Sequence, residues 1–102
     1  MQRIAGEAHY GLKDYAAAIP LLEAYHDAVD FPARNAMYRL GMSYFNTGVY
    51  SKAALRLGEA AGPQDAMSQN AYLHMGLSYL QLRDRSRARM AFEQAATTNF
   101  DP

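Results

Sequence analysis

The sequence predicts an all-α fold in which antiparallel helix hairpins, about six helices in all, stack side by side in a single domain spanning residues 1–102. Three observations carry that prediction. The first is a fixed interval: Gly6, Gly41 and Gly76 lie 35 residues apart, as do Ala18, Ala53 and Ala88, Leu22, Leu57 and Phe92, and His9, Tyr44 and Tyr79. A period of this length marks a helix hairpin that cannot bury its apolar side alone and does so against copies of itself. The second is the layout within a period, two helical patterns separated by one tight turn, seen most plainly from Asn35 to Ala61 around Thr47-Gly48-Val49. The third is that no alternating pattern of period two is long enough to compete.

Taken in order, residues 2–11 form a first helix without an N-cap. Gly11 to Asp14 turns the chain, and Asp14 caps a helix from Tyr15 to about Asp27 by accepting from free first-turn amides. Pro20 lies inside that helix, removes a donor and crowds the Ala16 carbonyl, so a bend is expected there. Ala28 to Pro32 connects the repeats, with Phe31 tucked back onto the core. Helices follow near Ala33–Thr47 and Val49–Ala61, and Gly48 supplies the permissive backbone between them. Gly62-Pro63-Gln64-Asp65 is the clearest turn signal. Asp65 caps a helix to about Leu82, Asp84 caps the last from Arg85 to about Thr97, and Thr98 to Pro102 is an exit segment. The repeats are thus about 1–33, 34–68 and 69–102. The glycines sit where two helices approach closely, the alanines do the same on the second helix, and the large residues fill the space between.

These residues resemble the tetratricopeptide repeat family. The middle copy offers Met37, Leu40-Gly41, Tyr44, Ala53, Leu57 and Ala60. The third offers Tyr72, Met75-Gly76, Tyr79, Ala88, Phe92 and Ala95, and the first a sparser Ala5-Gly6, His9, Ala18, Leu22 and Tyr25. Tryptophan is absent, His9 stands for the usual Tyr and Ala5 for the usual Leu. The period is one longer than the family's usual length of about 34. The resemblance implies a right-handed solenoid of helix hairpins and a non-catalytic interaction scaffold. With a start at the third position of a repeat, an end just before a fourth, and no polar capping helix, the chain reads as a piece of a longer array. Its plain Ala-, Tyr- and Gly-rich hairpins are similar to bacterial members of the family, some of which serve envelope assembly, so localisation leans toward the periplasm over the cytoplasm.

Composition narrows the function classes. Half of the residues are apolar and a fifth charged, which suits a globular domain. Ten basic and ten acidic side chains balance, giving no reason to expect nucleic acid or an anionic membrane surface. No apolar run reaches the roughly 20 residues of a membrane helix. Without cysteine there is no disulfide or thiolate chemistry. His9, His26 and His74 are too scattered for a zinc site, with His9 expected to fill the core place of Tyr44 and Tyr79. Ser43, Ser51, Ser68, Ser78 and Ser86 have no neighbouring base, and no phosphate loop, nucleophile elbow or dinucleotide fingerprint occurs. No enzyme, cofactor or metal is expected. Arg83, Arg85, Arg87 and Arg89 form two i, i+4 pairs near a helix N-terminus, where cations oppose the dipole, and an acidic neighbour would suit them.

The resemblance places a concave groove on the first helices. Arg3, Glu7 and Tyr10 would line it in the first repeat. In the second and third, Tyr38, Met42, Phe45, Leu73, Leu77 and Leu80 would supply apolar anchors at helical spacing, with Asn35, Arg39 and Asn70 setting orientation and His74 lying on the same inner surface. One family branch clamps the acidic tail of a chaperone. The corresponding positions here are Arg3, Glu7, Arg39, Asn70 and His74, and Glu7 together with the lost cations rules out that role. The expected partner is a protein or peptide, held as an extended segment or a helix. The rival reading is a spacer or self-assembling segment whose ends stack on adjacent repeats or on copies of the same protein.

Overall fold

A computed structural model describes residues 2–11 and 13–98. The chain forms α1 (Gln2–Gly11), α2 (Tyr15–Ala28), α3 (Arg34–Asn46), α4 (Tyr50–Ala60), α5 (Ala66–Gln81) and α6 (Arg85–Thr97), with no strand among the described residues. Helices α1 and α2, α3 and α4, and α5 and α6 pair as hairpins, and the hairpins stack through α2 on α3 and α4 on α5. This is the all-α stack that the 35-residue interval predicts.

Helix starts follow from carboxylates. Asp14, Asp65 and Asp84 each accept from the amide three residues on, those of Ala17 (3.4 Å), Ser68 (2.8 Å) and Arg87 (3.1 Å). The turns inside the hairpins obey the same interval. Lys13 (φ 60°), Gly48 (φ 81°) and Arg83 (φ 61°) all adopt left-handed backbone. The following amides reach back to close the preceding helix, Asp14 N to His9 O at 2.8 Å, Val49 N to Tyr44 O at 2.9 Å and Asp84 N to Tyr79 O at 2.9 Å. Only the middle turn uses glycine for a backbone that costs other residues roughly 1–2 kcal/mol.

The middle hairpin lacks the other half of this device. Val49 has the backbone of Asp14 and Asp84 (φ −94°, ψ 74°, against −89°, 73° and −98°, 82°) but no side-chain oxygen for the α4 amides. Val49→Asp is therefore expected to raise stability by about 1 kcal/mol. The measurement is urea unfolding, in which the midpoint should rise with the slope unchanged.

The core runs through the first two hairpins, where Ala18, Leu22, Ala36, Met37, Leu40, Tyr44, Ala53 and Ala60 form one buried cluster. Within each hairpin a large residue lies on a glycine. A Cβ built on Gly6, Gly41 or Gly76 would come within 2.7, 2.6 or 2.5 Å of Leu22, Leu57 or Phe92 respectively. Outside this core an ion-pair network ties α2 to α4. Arg56 donates to both oxygens of Glu23 (2.9 and 3.2 Å) and to Glu59 (2.8 Å), while His26 Nε2 lies 3.1 Å from Glu59. Burial, and then the Glu23 carboxylate, pushes the Tyr44 hydroxyl up to about 12.

Several expectations need correction. Phe31 does not tuck onto the core but is 93% exposed. The space beneath its connection is closed by Tyr25, whose hydroxyl accepts from the Ala33 amide at 2.7 Å. His9 does not fill the core place of Tyr44. Its shorter ring is partly exposed and turns to Asp14, with Nδ1 at 3.4 Å from the carboxylate. Of the arginine cluster, Arg87 pairs with Asp84 (3.0 Å) and Arg89 with Glu93 (3.1 Å), so the acidic neighbours they call for lie partly beside them. Thr98 is buried and its hydroxyl donates to Gln94 O at 2.6 Å. Leu12 of the first turn and residues 99–102 of the exit segment lie outside the described residues.

Candidate partner-binding groove

Helices α1, α3 and α5 stand side by side and supply the inner surface, α3 touching both of the others. The molecule measures 36 × 31 × 26 Å. Side chains at steps of three and four on α3 and α5 face this inner surface together.

The polar residues of this surface are largely engaged with one another. Arg3 donates to Asn35 at 3.0 Å, Arg39 donates to Glu7, and Asn70 donates to the Tyr38 hydroxyl. In each case the two residues are 32 apart, the offset of one helix against the next. Arg39 also lies over the Tyr10 ring (5.9 Å) and Arg3 over Tyr25 (5.5 Å). Asn35, Arg39 and Asn70, expected to orient a partner, thus act in this structure as ties between neighbouring first helices. His74 is held the same way, its Nδ1 2.8 Å from the Asn70 carbonyl and its ring edge-on to Phe45 at 4.8 Å.

The apolar residues divide by hairpin. Tyr38, Met42 and Phe45 on α3 are partly buried. Their counterparts one period later, Leu73, Leu77 and Leu80 on α5, are 41%, 36% and 47% exposed. Three leucines at four- and three-residue steps form an apolar ridge, and covering one such side chain fully is worth about 1.5–3 kcal/mol. The surface can therefore hold an apolar segment. Among the described residues no three His, Cys, Asp or Glu side chains are grouped so as to hold a metal ion, and no helix is long and apolar enough to cross a membrane.

Sequence reading missed the polar clasp at the junction of the second and third hairpins. Arg34, in the first turn of α3, donates to both Asp65 oxygens (2.7 and 2.8 Å), to Ser68 Oγ (2.7 Å) and to the Ala60 carbonyl. Ser68 Oγ in turn accepts from the Gly62 amide at 3.1 Å. A legible signal existed: a cation in the first turn of a helix is unfavourably placed against the dipole unless a carboxylate answers it. The Arg34 guanidinium and the Ser68 amide hold the Asp65 carboxyl well below the usual carboxylate range.

That shift has a sign. With its folded value depressed, Asp65 contributes stability that is fully present above its ordinary value of 3.8 and is lost as pH falls below it, when the unfolded chain binds a proton that the folded one refuses. Asp65→Asn retains a capping side chain but loses the ion pair, so its melting temperature should fall less steeply than that of the parent protein below about pH 4. Parallel acid limbs for the two proteins would contradict the assignment.

A family model described as Tetratricopeptide repeat matches residues 35–61 and 70–98, together more than half of the chain. The matched stretches take in α3 from Asn35 with α4, and α5 from Asn70 with α6. The first hairpin, the sparsest in the repeat's residues, is outside them. No curated protein matches the chain.

Proposed function

The chain belongs to the tetratricopeptide repeat family, and from that premise we propose that it is a non-catalytic scaffold that binds an apolar helix or peptide of a partner protein along its inner groove. Repeats of this family generally mediate protein–protein interaction and typically carry no catalysis. The observation that carries the reading is the exposed ridge of Leu73, Leu77 and Leu80, continued by Phe45 and Met42 on α3. An apolar stripe of that length matches the i, i+3, i+4, i+7 anchors of an amphipathic helix. Asn35 and Arg39 tie α3 to α1, while Tyr38 with Asn70 and Phe45 with His74 tie α3 to α5, so in this reading the groove is shaped before the partner arrives and little ordering cost remains.

The test uses a fluorescently labelled amphipathic peptide of 16 residues, the length of α5, and reads anisotropy. Leu73→Ala with Leu77→Ala should weaken binding at least about tenfold while circular dichroism keeps the parent helicity. Unchanged binding removes the groove assignment. These leucines suit the double substitution better than Tyr38, whose hydroxyl also braces Asn70.

The second reading, a spacer whose surfaces stack on further hairpins or copies, draws on the partial burial of Tyr38 and Phe45, which meet Asn70 and His74 of the next hairpin. Sedimentation across a concentration series separates the two, since a strictly monomeric chain argues against stacking.

A further inference from the structure

We propose that copies of this chain associate through an aromatic plug, Phe31 of one copy entering a cavity on the outer side of another. Neither the inner groove nor the outer faces of the end hairpins take part.

The cavity exists because the second and third hairpins do not repeat the seal that joins the first and second. There Arg56, its side chain only 13% exposed, reaches from α4 to Glu23 of α2, while His26 and Glu59 complete a polar cover beside the buried Tyr44. One period later the places of Arg56, Glu23, His26 and Glu59 are taken by Ala91, Gly58, Ala61 and Gln94. None of these is long enough to make the bridge. A cavity of about 300 Å³ results, walled by Tyr72, Met75, Tyr79, Met90 and Ala91, with Arg87 at its mouth. It lies on the side of α5 turned toward α4, since a Cβ on Gly58 would meet Met75 Cε at 3.6 Å, and Met37, Leu40 and Tyr44, the counterparts of three wall residues, belong to the core that α3 shares with α2.

The lining selects an aromatic ring. Two phenol rings offer edges and faces, and the thioethers of Met75 and Met90 make favourable contacts with a ring and adapt to its outline. A cation is refused, because the carboxylate that takes Arg56 in the preceding seal is absent at Gly58 and Arg87 already brings positive charge. A volume at the low end for ligand pockets suits one large side chain better than a whole small molecule.

The chain carries such a side chain unused. Phe31 stands on the connection between α2 and α3 with nearly all of its surface in water, because Tyr25 fills the space beneath. Its neighbours suit the surroundings of the cavity. Val29, also exposed, can lie on Met90, which is 64% exposed. Asp30 is exposed and, among the described residues, in no ion pair, so it can answer Arg87, whose side chain is 70% exposed and paired only with Asp84 of its own turn.

The experiment follows sedimentation and the methyl NMR signals of Met75 and Met90 across a concentration series of the protein. The ring current of Phe31 should move both methyls upfield as copies associate and leave Met42 of the groove in place, and high salt should weaken association by screening Asp30 from Arg87. Phe31→Ser and Met90→Glu alter exposed side chains, so each should keep the fold, and each should weaken self-association at least about tenfold. Mixed together, the two variants should recover it, since the first retains the cavity and the second the plug. A chain that stays monomeric to millimolar concentration overturns the inference. Association that survives Phe31→Ser does so too, and would assign the contact to the end hairpins. Failure of the mixed variants to associate, or association without movement of the Met75 and Met90 methyls, overturns it as well. A monomer whose two methyls answer only an added tryptophan-bearing peptide would give the cavity to a different protein and overturn the self-association. Peptide capture in the groove is read separately and should be the same in Phe31→Ser as in the parent protein.

Discussion

Leu57→Ala is expected to cost about 3 kcal/mol of folding stability, within the range of roughly 2–5 kcal/mol for emptying a fully buried leucine site. Leu57 has no exposed surface and rests on Gly41, so its loss opens a void at the contact between α3 and α4. Neither helix can collapse into that void freely, because α3 is also held by α2 and α4 by α5. In a domain of this size the melting temperature should drop by roughly 12–24 °C. Leu55→Ala, two residues earlier on the same helix, is the control. Leu55 is 58% exposed, and its truncation should leave the transition nearly in place. Calorimetry on the three proteins decides the matter, and similar losses at both leucines would mean that α4 presents a different face to the core.

Gly41→Ala is expected to destabilise by about 2 kcal/mol, although alanine favours a helix over glycine by about 1 kcal/mol. The added Cβ would stand 2.6 Å from Leu57 Cγ and 2.9 Å from the Leu57 backbone nitrogen. A side chain could rotate away, but the backbone cannot, so α3 and α4 must separate. Gly58 supplies the contrast, since a Cβ there meets only Met75 at an ordinary 3.6 Å. Gly58→Ala should therefore be neutral or mildly stabilising. Chemical denaturation of both variants checks the pair, and a Gly41→Ala protein as stable as the parent would show that close helix approach is not what that glycine serves.

Much of the fold was legible because it is written in short-range chemistry. Asp14, Asp65 and Asp84 mark three helix starts through contacts three residues long. Gly6, Gly41 and Gly76 announce the hairpin crossings by their interval. Phe31 was misread because bulk and apolarity do not say whether a connection has room beneath it. Tyr25 had already taken that place. The left-handed backbone at Lys13 and Arg83 carries no compositional mark at all, and the glycine of the middle turn is its only visible member.

The groove divides along the same line. Its leucine ridge follows from steps of three and four on one helix, which sequence displays. Its polar ties do not, because Arg3 with Asn35, Glu7 with Arg39 and Tyr38 with Asn70 depend on how far one helix slides against the next. That offset is a product of the whole stack. The Arg34 clasp lies between these cases, its dipole conflict readable but its partner not.

Contacts between stacked hairpins, more than any single helix, make this molecule. Hydrogen exchange resolved by residue tests that most directly. Helices α3 and α4 have neighbours on both sides and hold most of the buried cluster. Amides from Met37 to Tyr44 should accordingly exchange slowest, with α1 and α6 opening at lower free energy. Equal protection across all six helices, or slowest exchange in α6, would contradict it.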